Sequence, residues 1–192
     1  MASKPGERKL QILQTVAQML EQPKGEKITT AALAARLELS EAALYRHFAS
    51  KAQMFEGLIA FIEDSLFSLA NQILEREADP ARQVARLLAL VLQFAEKNPG
   101  MCRVLLGEAL VLEHERLQVR INQCWERIES LLRQSHRALA ESRGATTPTV
   151  DAQVGASLTV CVLLGRLQRF SRSGFKRLPT EHLEATVAQL LR

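Results

Sequence analysis

A chain of 192 residues, 47% of them hydrophobic, is long enough to bury a substantial core. Nine Gly, six Pro, one Trp and one Tyr favour helices over sheets, and no internal repeat or low-complexity tract is present. The net charge of +4 is uneven: residues 1–51 hold eight Lys/Arg against five Glu, which suits phosphate contact but is equally compatible with a solvated surface.

Residues 1–6 read as a loose arm. An amphipathic helix then runs from Arg8 to about Glu21, with Leu10, Leu13, Ala17 and Leu20 inward, and Gln22–Lys27, containing Pro23 and Gly25, is a loop. The next stretch predicts two short helices crossing at a tight turn. Thr29 caps the first, with Leu33, Ala34 and Leu37 on one face, and Leu39 lies in the turn. Ser40 caps the second, Glu41–Phe48, with Leu44 and Phe48 inward and Glu41, Ala42, Ala43, Tyr45, Arg46 and His47 outward. A short, alanine-fronted helix with donors towards its end is what a helix-turn-helix presents to the major groove, and an ordinary helical hairpin fits the pattern equally well.

Ser50 and Gln53 form a capping box that opens a long helix reaching about Glu77. Phe55, Leu58, Ile62, Leu66, Leu69 and Ile73 form its inward stripe. Phe61 and Phe67 each fall roughly 120° to one side of it, so either they stay partly exposed or neighbouring helices bury them. Asp79-Pro80 starts another helix, whose run Leu87–Leu92 is apolar on all sides and predicts a central position, and Asn98-Pro99-Gly100 stops it. A short helix from Met101 to about Leu112 follows. Then comes a long one, Glu113–Ser142, with Leu117, Ile121, Cys124, Ile128, Leu131 and Ser135 on one face. After a loop at Gly144–Thr149, helices at Val150 to about Arg172 and Thr180–Leu191 close the chain.

No HExxH, GxSxG, Walker loop or GxGxxG occurs. His114 beside Glu113 and Glu115 reads as a surface helix start rather than a metal ligand, so neither an enzyme nor a metal or cofactor site is expected. Cys102, Cys124 and Cys161 lie in apolar helical patterns and read as buried thiols of a reducing cytoplasm. The first dozen residues lack the apolar core of a secretory signal, and no apolar run approaches bilayer length, which predicts no membrane partner.

The string Leu44-Tyr45-Arg46-His47-Phe48-Ala49-Ser50-Lys51 resembles the recognition-helix signature of the TetR family, with Glu38 where that motif often has Gly and Ala49 where Pro is common. The resemblance implies an all-α fold, with a helix-turn-helix DNA-binding domain at 1–52 and a helical regulatory and dimerisation body at 53–192. It also implies a homodimer joined through the last two helices, where Gly155, Ala156, Leu158, Val162 and Gly165 are the candidate contacts. On double-stranded palindromic DNA, Thr29, Ser40, Tyr45, His47 and Lys51 are expected on phosphates, and Thr30, Ala42 and Ala43 in the groove.

Four stretches, 40–51, 61–66, 96–100 and 116–123, together with 170–176, are similar to a narrower group, the SlmA-type nucleoid occlusion factors. That resemblance implies a nucleoid-associated cytoplasmic protein that antagonises the division protein FtsZ while bound to DNA, with Phe61, Leu90, Lys97 and Asn98 matching the region that takes the FtsZ C-terminal tail. Leu69 and Gln93 depart from the group's more usual Arg and Gly. The alternative is a repressor whose body binds a small molecule, as in most TetR-like proteins.

Overall fold

The computed structural model of the protein describes residues 5–22 and 28–192. The described residues form α1 (Pro5–Leu20), α2 (Thr30–Arg36), α3 (Glu41–Tyr45), α4 (Lys51–Arg76), α5 (Pro80–Lys97), α6 (Pro99–Leu105), a 3-10 turn at Glu108–Leu110, α7 (Glu115–Ser142), α8 (Pro148–Arg172) and α9 (Leu183–Leu190). The first helix starts at Pro5, ahead of the expected Arg8. Of the expected arm only residues 1–4 lie outside the described residues, as do 23–27 of the expected loop. Packing divides the chain into two units: Met1–Ile62 with Asn98–Ile121, and Glu63–Lys97 with Asn122–Arg192. This division runs differently from a head at 1–52 and a body at 53–192, because α6 and the segment after it group with the head.

In the first unit, α1 buries Ile12, Val16, Met19 and Leu20, whereas Leu10 is exposed and Leu13 and Ala17 are half-buried. The helix is thus rotated from the face its leucines suggested. The reason is its neighbour α6. Gly100 comes so close that a Cβ there would stand 2.1 Å from the Ala17 carbonyl oxygen, and only a small residue on each side permits the crossing. Leu13 instead covers Gly57 of α4. The expected helix Met101–Leu112 is shorter and starts earlier, since Gly107 takes a left-handed φ of 74° and breaks it before the 3-10 turn.

In the second unit, α5 buries Val84, Leu87, Leu88, Val91, Leu92 and Ala95. Ala89 and Leu90 are only half-buried, so the all-apolar run is not enclosed on every side. Leu132 rather than Leu131 completes the buried face of α7. Phe67 is buried, with the Arg127 guanidinium 3.8 Å above its ring, a cation–π contact. The helices α4 and α8 are long and apolar enough to cross a bilayer by length and composition alone, contrary to the sequence expectation; part of each is buried against other helices. Cys102 and Cys124 are buried and burial pushes the Cys102 thiol up to about 12, but Cys161 is exposed, on α8.

A buried polar contact ties α7 to α8. The Thr159 hydroxyl donates to the Gly155 carbonyl at 2.8 Å, so its oxygen is left to accept from His136 Nε2–H at 3.0 Å, which fixes the neutral tautomer. A Cβ at Gly155 would meet the His136 ring at 2.6 Å, so glycine makes room for it. Burial first, and the charge of Arg143 second, lower the His136 pKa below 6.5. The unfolded chain therefore takes up this proton first as pH falls. The stability held above pH 6.5 is lost below it, at no more than about 1.4 kcal/mol per pH unit. Between pH 7.5 and 5.5 the melting temperature of the wild type is expected to fall more than that of His136→Gln. Parallel curves would remove His136 from the pH response.

Candidate nucleic-acid interface and partner surfaces

Local chemistry builds the α2–α3 pair. Thr29 Oγ1 accepts from the Ala32 N–H at 3.1 Å and Ser40 Oγ accepts from the Ala43 N–H at 3.1 Å, so both expected caps form. The turn between them is a Schellman motif, with Leu39 N–H donating to the Ala34 carbonyl at 2.9 Å and Glu38 N–H to the Ala35 carbonyl at 3.2 Å. Glu38 occupies its left-handed position at φ 54°, the conformation for which glycine is usual, at a cost of about 1 kcal/mol. Leu33, Ala34, Leu37, Leu44 and Phe48 are buried beneath the pair. The second helix ends at Tyr45 instead of Phe48, because the chain turns through Arg46 and His47 to reach Ser50, which caps α4 through the Gln53 N–H at 3.2 Å.

The outward face carries the expected set. Ala42 and Tyr45 are exposed, and Ala43 and His47 are half-buried. Two residues are more constrained than the sequence suggested. The Thr30 hydroxyl donates to Glu41 Oε2 at 2.6 Å, tying the N-terminus of α2 to that of α3. Lys51 is paired with Glu113 and lies 5.7 Å over the Phe55 ring, with about a fifth of its side chain exposed. Glu113 is 62 positions away, and no local pattern could have revealed it. Nearby, Glu56 accepts from Arg116 Nε at 2.6 Å and its carbonyl accepts from Arg120 at 3.3 Å, and His114 Nδ1 caps α7 by accepting from the Arg116 N–H at 3.3 Å.

In the second unit, α8 presents Val150, Val154, Leu158, Cys161 and Gly165 on one exposed face, at spacings of four and three residues. No residue of α9 is buried. Leu158 and Gly165 belong to this face and Val162 borders it half-buried. Ala156 and Gly155 do not belong to it: Ala156 is fully buried, and Gly155 lies against His136. The small residues at 155–156 serve packing inside the subunit.

An open groove of about 440 Å³ runs between α4 and α5, lined by Leu69, Ile73, Ala89, Leu90 and Gln93 with Arg76 and Arg86 also on its walls. Leu69, expected in the buried stripe, is therefore exposed. Lys97 is exposed in the last turn of α5. In the first unit, Phe61 is 44% exposed and Asn98 is the N-cap residue of α6. By contrast, the apolar space between α4, α5 and α7 of the second unit, bounded by Leu66, Phe67, Leu87 and Ile128, holds only about 10 Å³.

Residues 17–58 match the family described as bacterial regulatory proteins, tetR family, and residues 79–192 match the SlmA-like tetracyclin repressor-like C-terminal domain. The chain is 50% identical to the nucleoid occlusion factor SlmA of Photobacterium profundum, covering 95% of this chain and 93% of that one. It is 48% identical to SlmA of Marinomonas sp., covering 94% and 91%.

The chain belongs to the SlmA-like branch of the TetR family.

The fold agrees. The TetR regulator PfmR of Thermus thermophilus superposes with a TM-score of 0.75 at 22% identity, over 95% of this chain and 94% of that one. FadR of Bacillus subtilis, in complex with stearoyl-CoA, superposes with 0.74 at 11%, over 95% and 97%. A TetR-family member of this kind is a DNA-binding dimer and a regulator rather than an enzyme.

Because Glu113 neutralises Lys51, Glu113→Gln is expected to free a cation for phosphate and to steepen the dependence of log affinity on log salt by about 0.9. Adding Lys51→Ala should return the slope to the wild-type value. An unchanged slope in both the single and the double variant would take Lys51 off the phosphates. For the dimer, Leu158→Glu puts a charge on the exposed apolar face and is expected to give folded monomers in sedimentation analysis, whereas Ala156→Arg should lose the fold itself. A Leu158→Glu protein that stays dimeric would move the interface off this face.

Proposed function

We propose that the protein is a nucleoid occlusion factor that binds palindromic chromosomal sites as a dimer in the cytoplasm and, while bound, antagonises FtsZ ring assembly over the nucleoid. The observation that carries this reading is the near-full-length similarity, at 48–50% identity, to proteins named nucleoid occlusion factor SlmA. In this reading, Thr29, Ser40, Tyr45, His47 and Lys51 face phosphates and Thr30, Ala42 and Ala43 face the groove, the alanine methyls meeting thymine methyls.

The FtsZ C-terminal tail, an acidic and apolar peptide, is taken by Phe61, Leu90, Lys97 and Asn98. In the first unit the exposure of the Phe61 ring supports its part in this, and in the second unit Leu90 lines the α4–α5 groove beside Arg76 and Arg86. Leu69 and Gln93 line that groove, so their departure from the group's usual residues makes its wall more apolar here. The ligand-gated repressor reading has less support, because the near-full-length relatives are named nucleoid occlusion factors.

Co-sedimentation with FtsZ, with and without a cognate duplex, tests the proposal directly. The wild type is expected to hold DNA and FtsZ together. Phe61→Ala should weaken FtsZ binding roughly thirtyfold, about 2 kcal/mol, with DNA binding retained. Lys97→Glu should also weaken it, less so in high salt. Normal FtsZ binding by a folded Phe61→Ala protein would sink the tail assignment. Release of DNA by a small molecule, without any FtsZ binding, would favour the repressor.

A further inference from the structure

Outside the DNA-reading head, one short stretch concentrates positive charge. Residues 166–182 hold Arg166, Arg169, Arg172, Lys176 and Arg177 against Glu181 alone, a net of +4 that equals the net charge of the whole chain. The end of α8 and the loop leading to α9 enclose an open cleft of about 290 Å³ here, with Arg166, Arg169, Arg177, Leu178 and Pro179 on its walls and Glu181 as the one carboxylate among its lining residues.

The cleft is held in shape by its own bonds. The Arg166 guanidinium donates to the carbonyl oxygens of Pro179 at 2.8 Å and Glu181 at 2.7 Å and to the Thr186 hydroxyl, so Arg166 is a positioning residue that pins the loop to α9. Ser173 Oγ accepts from the N–H groups of Lys176 at 3.1 Å and Arg177 at 2.9 Å, which fixes the turn presenting Arg177. Arg166 and Arg169 are three apart on one helix face. Burial first, and the charge of Arg169 second, push the Arg166 pKa down.

A concave surface lined by one sign of charge focuses the field and attracts an opposite ion. Planar guanidinium forks match the oxygens of phosphate groups better than a point charge does. The volume equals that of about ten water molecules at ~30 Å³ each, more than one phosphate fills. Leu178 is exposed and adds an apolar edge beside the cations, with buried Pro179 beneath it.

We propose that this cleft binds a nucleoside di- or triphosphate, with Arg169 and Arg177 on the phosphate oxygens and Leu178 against the nucleoside. The test is calorimetric titration of the full-length dimer with ATP, GTP, pyrophosphate and inorganic phosphate at constant ionic strength. One nucleotide per chain is expected, with pyrophosphate weaker and phosphate weakest. The double variant Arg169→Glu, Arg177→Glu should bind nucleotide at least tenfold more weakly while keeping its melting temperature and its affinity for duplex DNA. Leu178→Ser should weaken nucleotide but not pyrophosphate. The proposal is overturned if no nucleotide binds at millimolar concentration, or if the double variant binds nucleotide as the wild type does, which would place the ligand on the DNA-reading head. Loss of duplex affinity in the double variant would also overturn it and give the patch to DNA.

Discussion

The crossing of α1 and α6 at Ala17 and Gly100 is the contact on which the first unit depends. With a prospective Cβ only 2.1 Å from a backbone carbonyl oxygen, no side-chain rotation relieves a larger residue there. The crossing brings the segment after α6 to the start of α4. Arg103 then reaches the Gln22 carbonyl at 3.0 Å, and Glu113 and Arg116 meet Lys51 and Glu56. The start of α4, directly after the helix-turn-helix, is thus braced by residues about sixty positions further along the chain. Exposed ion pairs contribute little to stability by themselves, and the part-buried Lys51–Glu113 pair matters more for where it holds a cation than for what it adds to folding.

The second unit follows a different logic. Its core is mostly apolar, and its buried polar groups include two linked sets. Gln83 joins Ser135 at 3.0 Å to the Glu77 carbonyl at 2.7 Å, and His136 joins Thr159 at 3.0 Å. Each satisfies groups that would be costly to bury alone. What this core does not cover is as informative. The outer face of α8 is apolar and α9 buries nothing, which suits a family whose members are dimers. Residues that approach the neighbouring helix inside the subunit, Gly155 and Ala156, lie beside residues facing outward, such as Leu158.

The outward face of α3, the α8 face, the α4–α5 groove and the basic cleft at the end of α8 each present a different surface chemistry. The space among Leu66, Phe67, Leu87 and Ile128 holds only about 10 Å³.

The sequence alone determined where several helices start, those of the helix-turn-helix among them, because those signals are local. Thr29, Ser40, Ser50 and Asp79 each bond a backbone N–H two or three residues on, so residue type and spacing fix those helix starts whatever the rest of the chain does. Periodicity likewise determined that long amphipathic helices follow. It could not determine how each helix is rotated against its neighbours. That rotation decided that Leu10 and Leu69 are exposed, that Phe67 is buried while Phe61 is not, and that Ala156 belongs to the core while Leu158 does not. Nor could spacing reveal that Lys51 meets Glu113. A helical repeat fixes angles between residues of one helix, but only the packing of several helices fixes which of those angles points inward, and only the tertiary fold brings charges sixty residues apart together.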